Sequence, residues 1–114
     1  MTKYQRAMQI WTLLVLAAKE GKIYTYSDIS DILKSGIPLG VAKYLNSIRS
    51  YCDEKGYPPL DVLVIQKKAD RPGNKYQPRK TVAQDRADVY AYKHKWFAIE
   101  PPQISDFENA MKKK

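Results

Sequence analysis

The side chains with the most evident chemistry are cations gathered in one short stretch, residues 67–80. This stretch holds six lysines and arginines against one aspartate, so it carries five of the chain's eight net positive charges. Such a density favours contacts with phosphate oxygens, although a charged run can also be a merely solvated loop. The six cations are Lys67, Lys68, Arg71, Lys75, Arg79 and Lys80. The net charge of +8 and the pI near 9.5 favour a polyanionic partner.

A second set of polar side chains lies on a helix predicted from residue 39 to about residue 52. Its apolar residues recur at helical spacing and are predicted to face the core: Val41, Leu45, Ile48 and Cys52. The polar residues on the opposite side are predicted to face outward: Lys43, Asn46, Ser47 and Ser50. Exposed side chains of this kind can contact base edges in the major groove of DNA.

A shorter predicted helix precedes this one. Thr25 and Asp28 have the spacing of a helix-capping pair at its start. An apolar edge one turn deep follows: Ile29, Ile32 and Leu33. Gly36 and Pro38 then predict a tight connection to the helix at residues 39–52. Two helices joined in this way, the second with a polar outer face, are typical of a helix-turn-helix.

The flanking segments complete a winged-helix pattern. Residues 1–20 carry a wide apolar stripe and predict a first helix that ends at Gly21. Residues 62–68 predict a strand, and residues 69–75 predict a hairpin tip. Tyr76 and Gln77 are predicted to begin the returning strand, which Pro78 would end. We therefore expect an α+β, mainly α fold, with a winged helix-turn-helix in residues 1–80.

The last third, residues 81–114, is predicted to extend the same domain and pack on it. Thr81 and Gln84 have capping-box spacing and favour a helix after Thr81. Residues 89–97 also alternate in polarity, so a strand remains open there. Residues 105–114 predict a short final helix. At 114 residues, the chain is long enough for one such domain to bury a core without metals or disulfides.

Signals for catalysis or metal binding are weak. Cys52 is the one cysteine and His94 the one histidine, which excludes an intramolecular disulfide and a cysteine-based zinc site. Phosphate-binding glycine loops and serine nucleophile elbows do not occur in the sequence. Asp85, Asp88 and Lys93 suggest a nuclease remnant, but their spacing fits a solvated helix face equally well. We predict a protein that is not an enzyme and needs no cofactor or metal.

The apolar run at residues 10–18 is short and flanked by charge, so neither a signal peptide nor a membrane span is predicted. We expect a cytoplasmic protein with no membrane partner.

Several motifs occur together in residues 21–76: GKIYTYSDIS, the Gly36-x-Pro38 turn, the strand with Val64 and Ile65, and Pro72-Gly73-x-x-Tyr76. In this combination they resemble the DNA-binding domain of alkylguanine-DNA alkyltransferases and alkyltransferase-like proteins. The resemblance implies that Tyr26 contacts a DNA phosphate and that Lys43 stands nearest the family's intercalating arginine. The family's Pro-Cys-His-Arg active-site run is replaced by Pro59-Leu60-Asp61-Val62, which lacks the nucleophile. The resemblance therefore implies DNA binding without alkyl transfer.

These patterns together predict a non-enzymatic winged-helix protein that binds double-stranded DNA. Residues 39–52 would be the recognition helix and residues 67–80 the basic wing. The predicted contacts outside the wing are Tyr26, Lys43, Asn46, Ser47 and Ser50. The alternative is a small phage-type inhibitor or adaptor that applies its basic surface to an acidic protein surface. The target sequence and the oligomeric state stay open.

Overall fold

Helices dominate the computed structural model, which describes residues 2–34, 40–66, 72–73 and 76–113. In chain order the elements are α1 (Lys3–Glu20), β1 (Tyr24–Thr25), α2 (Tyr26–Leu33), α3 (Val41–Lys55), a 3₁₀ helix (Leu60–Leu63), β2 (Val64–Ile65), α4 (Val82–Ala91), α5 (Lys93–Trp96) and α6 (Ile104–Lys112). The fold is therefore mainly helical, as predicted. None of the helices in the described ranges has the length and apolarity needed to cross a membrane.

The first helix forms where the sequence predicts it. Thr2 and Gln5 close a capping box at its start, and Gly21 ends it at a left-handed φ of 69°. The wide apolar stripe is buried because α1 packs against α3, the 3₁₀ helix and α6. At the centre of the core, the ring of Trp11 makes edge-on contacts with Tyr51 and Trp96 at centroid distances of 5.6 and 5.7 Å.

The second helix begins with the predicted cap. The Thr25 hydroxyl accepts from the Asp28 N–H at 3.0 Å, and the Thr25 N–H donates to the Asp28 carboxylate at 3.0 Å. Ile29 and Leu33 are buried, but Ile32 is 48% exposed, so its predicted place on the apolar edge is wrong. A helix of eight residues turns only one narrow face to the core, and Ile32 lies beside that face. The predicted turn residues Gly36 and Pro38 lie outside the described residues.

The third helix is longer than predicted, because it continues to a left-handed Gly56 with φ of 74°. Its predicted core positions are confirmed, since all four are buried: Val41, Leu45, Ile48 and Cys52. The predicted outward position of Ser47 and Ser50 is wrong, because they are 0% and 7% exposed. Helix α3 packs on α1, α2, α6 and the 3₁₀ helix, so its buried sector is wider than one stripe. The Ser47 hydroxyl donates to the Lys43 carbonyl at 3.4 Å inside this sector.

The strand region differs from the predicted antiparallel hairpin. Leu60–Leu63 form a 3₁₀ helix, and the strand is limited to Val64–Ile65. This strand pairs in parallel with β1, with Tyr24 opposite Val64 and Thr25 opposite Ile65. The predicted returning strand at Tyr76 and Gln77 is wrong, because neither residue is in a strand. The Gln77 carbonyl accepts from the Arg49 guanidinium at 2.7 Å, so a side chain takes the place of a strand partner. Most of the predicted tip, residues 69–75, lies outside the described residues.

The C-terminal third is helical and contributes to the same core. The Thr81 hydroxyl accepts from the Gln84 N–H at 3.1 Å, which confirms the predicted cap and the helix that follows it. The Trp96 indole N–H donates to the Val89 carbonyl at 3.1 Å, so its polar edge is satisfied although the ring is buried. Phe107 of α6 is fully buried against Trp11 and Tyr51.

Candidate nucleic-acid interface

A groove of about 520 Å³ lies against the outward face of α3. Tyr26 of α2, Asp61 of the 3₁₀ helix and the segment with Tyr76 and Gln77 complete its lining, together with Lys3 and Met111. We call this feature the α3 groove. It combines a helix face with polar side chains from four other parts of the chain, and two of the predicted DNA contacts lie on its helical wall.

Those two contacts are Lys43 and Asn46, which are both exposed and line the α3 groove. They stand three residues apart, so they are neighbours on the surface of the helix. Arg49 and Asp53 continue the same row toward the C-terminal end of α3. This row presents an ammonium, an amide, a guanidinium and a carboxylate in order along the groove.

Arg49 joins α3 to the segment at residues 76–79. Its side chain is 13% exposed and donates to Asp53 at 3.0 Å and to the Gln77 carbonyl at 2.7 Å. Its guanidinium carbon lies 5.2 Å from the centre of the Tyr76 ring, and Nη1 lies 3.7 Å from the Asp61 carboxylate. Sequence analysis missed Arg49 as a site residue, although its spacing of four residues from Asp53 was a readable signal.

Asp53 receives a second arginine. Nη2 and Nε of Arg79 donate to its Oδ1 atom at 2.6 and 3.1 Å. Arg79 was predicted to contact DNA, but in this structure its charge is satisfied by a carboxylate of α3. Lys80, the next predicted contact, pairs in the same way with Asp88 of α4 at 3.0 Å. Neither cation is therefore presented to solvent as an unpaired charge.

Asp61 is a buried carboxyl group on the lining of the α3 groove, 8% exposed. Burial raises its pKa to about 7, and the nearby Arg49 charge offsets part of that effect. It is the residue that stands within the Pro-Leu-Asp-Val run, a lone carboxylate in an apolar sequence. That isolation was the signal by which sequence analysis could have found it.

Asp85 fixes the backbone that follows the groove. Its carboxylate is 1% exposed and accepts from the Tyr76 hydroxyl at 2.8 Å. It also accepts from the N–H groups of Arg79 and Lys80 at 2.9 and 3.1 Å. Because it accepts all of these hydrogen bonds, Asp85 fixes the backbone of residues 76–80. The carboxylate therefore has a structural role.

Tyr26 lines the α3 groove and is half-buried. Its hydroxyl oxygen accepts from the Gly73 N–H at 2.9 Å, and burial raises the pKa of the phenol. A hydroxyl has one proton to donate, and this contact uses only an acceptor position. The resemblance to alkyltransferases implies that the Tyr26 hydroxyl contacts a phosphate. This hydroxyl lies in the α3 groove and already accepts a hydrogen bond from a backbone amide.

The remaining predicted site residues do not join this group. Ser47 and Ser50 lie in the core, where they cannot touch a DNA surface. The other predicted wing cations lie outside the described residues: Lys67, Lys68, Arg71 and Lys75. Tyr26, Lys43 and Asn46 are thus brought together, and Arg79 reaches the groove through Asp53.

The lone cysteine and the potential metal ligands were singled out in the sequence, and the structure places them as follows. Cys52 is fully buried, and burial raises its thiol pKa to about 12, so the thiolate is not populated near neutral pH. Groups of three or more metal-ligating side chains are absent among the residues described.

Protein-family models, curated proteins and solved structures were each compared with the chain, and none matches it.

Proposed function

We propose that this chain is a non-enzymatic, winged-helix protein that binds duplex DNA through the α3 groove and the basic stretch at residues 67–80. The observation that carries the proposal is the pair Lys43 and Asn46, exposed one turn apart on the groove wall of α3. A lysine and an asparagine so placed can reach phosphate oxygens or base edges when a helix enters the major groove.

The order of elements also supports the proposal. A first helix, a short strand, two helices in succession and a second strand follow one another before the basic stretch. The helix that would act as the recognition helix is α3, and among its residues that line the groove only Leu45 has a large apolar side chain. The resemblance to alkyltransferase-like proteins adds Tyr26 as a hydroxyl donor toward a phosphate.

Charge supports the same surface. Arg79 and Lys80 are neutralised by Asp53 and Asp88, so they add little to the field that an incoming DNA meets. The other cations that the sequence predicts as DNA contacts are Lys43, Lys67, Lys68, Arg71 and Lys75. Five contacts predict a slope of about −4.5 in log affinity against log salt concentration.

A salt titration tests the proposal. Raising the salt from about 50 to about 200 mM should weaken duplex binding roughly 500-fold if five contacts form. Lys43→Ala should reduce the slope by about 1. Lys19→Ala is the matched control, because Lys19 is exposed and lies sixteen residues along α1 from Lys3, about 24 Å away. Undetectable binding at about 50 mM salt, where such contacts are strongest, would contradict the proposal and favour an acidic protein partner.

A further inference from the structure

We propose that Arg49 and Arg79 together form a binding site for one phosphate group, and that the Asp53 carboxylate occupies this site until a phosphate displaces it. The inference rests on the proposed function where the phosphate belongs to DNA. It goes beyond that function by naming a subsite and an internal competitor that weakens binding.

Three N–H donors from two guanidinium groups meet at one oxygen atom. The Oδ1 atom of Asp53 accepts from Nε of Arg49 at 3.0 Å and from Nε and Nη2 of Arg79 at 3.1 and 2.6 Å. Guanidinium groups bind carboxylate and phosphate oxygens with the same donor geometry. A phosphate has more oxygens than a carboxylate, so it can bridge both arginines and satisfy these donors.

The Arg49 side chain and the backbone of Arg79 are held independently of Asp53. Arg49 keeps its contacts with the Gln77 carbonyl, the Tyr76 ring and the Asp61 carboxylate if Asp53 leaves. The backbone N–H of Arg79 is fixed by Asp85 at 2.9 Å. The Arg49 donors therefore stay in place, and Arg79 extends from a fixed backbone position, so a phosphate would meet a site that is partly assembled.

Asp53 is the most exposed of the three side chains. Its side chain is 49% exposed, compared with 13% for Arg49 and 31% for Arg79, and it lies on the lining of the α3 groove. An exposed carboxylate can rotate into water at little cost, because exposed ion pairs contribute little to stability. Until it does so, its negative charge repels an approaching phosphate and occupies its donors.

The test compares two neutralising substitutions on the same helix. Asp53→Asn removes the competitor, whereas Glu54→Gln removes an equal charge from the adjacent residue, which pairs with Lys113 at 3.0 Å instead. At about 100 mM salt, Asp53→Asn should tighten duplex binding roughly fivefold and Glu54→Gln by less than about twofold, since Glu54 pairs with Lys113 and does not occupy the arginine donors. Equal effects of the two substitutions would overturn the proposal.

A second variant excludes a general effect of losing Asp53. Adding Arg79→Gln to Asp53→Asn removes one of the two guanidinium groups, so the fivefold gain should disappear. Thermal unfolding of each variant shows whether the fold is kept. A gain that persists in the folded double variant would show that the two arginines are not the site.

Inorganic phosphate separates this inference from DNA binding. Titrated against chloride at equal ionic strength, phosphate should shift the Nε–H resonances of Arg49 and Arg79 at lower concentration in Asp53→Asn than in the unchanged protein or Glu54→Gln. This result would support the phosphate site even if no variant bound DNA. A lack of DNA binding would then refute the proposed function but not the phosphate site. Identical phosphate titrations in all three proteins would overturn the site even if DNA binding were intact.

Discussion

We expect the free energy of unfolding to fall as the pH rises from about 4 to about 7, and replacing Asp61 by asparagine should remove most of that fall. Burial raises the pKa of Asp61 to about 7 in the folded protein, against 3.8 for a free carboxyl group. The folded state therefore holds this proton over a range in which the unfolded state has already released it. Unfolding releases a proton there, so the free energy of unfolding falls as the pH rises and becomes constant above about 7.

The size of the effect follows from the gap between the two pKa values. A gap of about three corresponds to about 4 kcal/mol in the free energy of unfolding. Asparagine keeps the size of the side chain and cannot ionise, so the variant should show a nearly flat profile over this range.

Urea unfolding followed by the fluorescence of Trp11 and Trp96 measures this profile, since both indoles are buried. Asp31→Asn is the matched control, because Asp31 is an exposed aspartate on α2 and lies outside the α3 groove. Asp88 does not interfere: hydrogen bonds from Lys80 and Gln84 lower its pKa, so its contribution is lost only as the pH falls below about 4. If Asp61→Asn has the same slope as the unchanged protein, the buried carboxyl group is not the cause.

Three further predictions concern single contacts. Gly73→Ala should destabilise the fold by about 1–3 kcal/mol, because its Cβ would lie 2.7 Å from the Tyr26 hydroxyl oxygen, and Tyr26→Phe should remove most of that penalty in the double variant. Urea unfolding of all four proteins measures the coupling, and additive effects would contradict it. Phe107→Ala should lower the free energy of unfolding by roughly 3–5 kcal/mol, because the ring is fully buried with Trp11. The variant should still unfold in a single transition. An early separate transition would show that α6 is not part of the same core. Asn46→Ala should change the ranking of duplex sequences in a competition assay, whereas Lys43→Ala, which removes a phosphate contact, should weaken all of them alike. Uniform weakening by Asn46→Ala would show that Asn46 does not contact bases.

Local signals in the sequence predicted the starts of α2 and α4 and the end of α1. Thr25 with Asp28, and Thr81 with Gln84, act over three residues, so the chain needs no distant partner to satisfy them. Gly21 ends α1 for a similarly local reason, since glycine adopts the left-handed conformation at low cost. Such signals survive folding because tertiary contacts rarely compete with them.

Contacts between segments that are far apart in the chain could not be predicted from such local signals. Ser47 and Ser50 are polar, but α3 is covered on several sides and buries them. Val64 and Ile65 were predicted to pair with the chain that follows, whereas their partner is β1, about forty residues earlier. Periodicity identifies which residues are apolar, and it does not show how many neighbours surround a helix or which strand lies alongside.

In the candidate site, too, local features could be predicted from the sequence and long-range contacts could not. Lys43 and Asn46 could be placed on the outward face of α3 from helical spacing alone. The convergence of Arg49 and Arg79 on Asp53 could not, because Arg79 is 26 residues away in the chain. A buried Asp61 beside these groups depends equally on how the 3₁₀ helix packs on α3.

The central claim is that duplex DNA binds to the α3 groove, and amide chemical shifts test it most directly. The ¹⁵N-labelled protein is titrated with a short duplex at about 50 mM salt, where phosphate contacts are strongest. We predict that the largest shift changes fall at residues 42–50 and 72–80 and at Tyr26. The absence of shift changes, or their concentration on α6 and around Phe97 instead, would contradict the account.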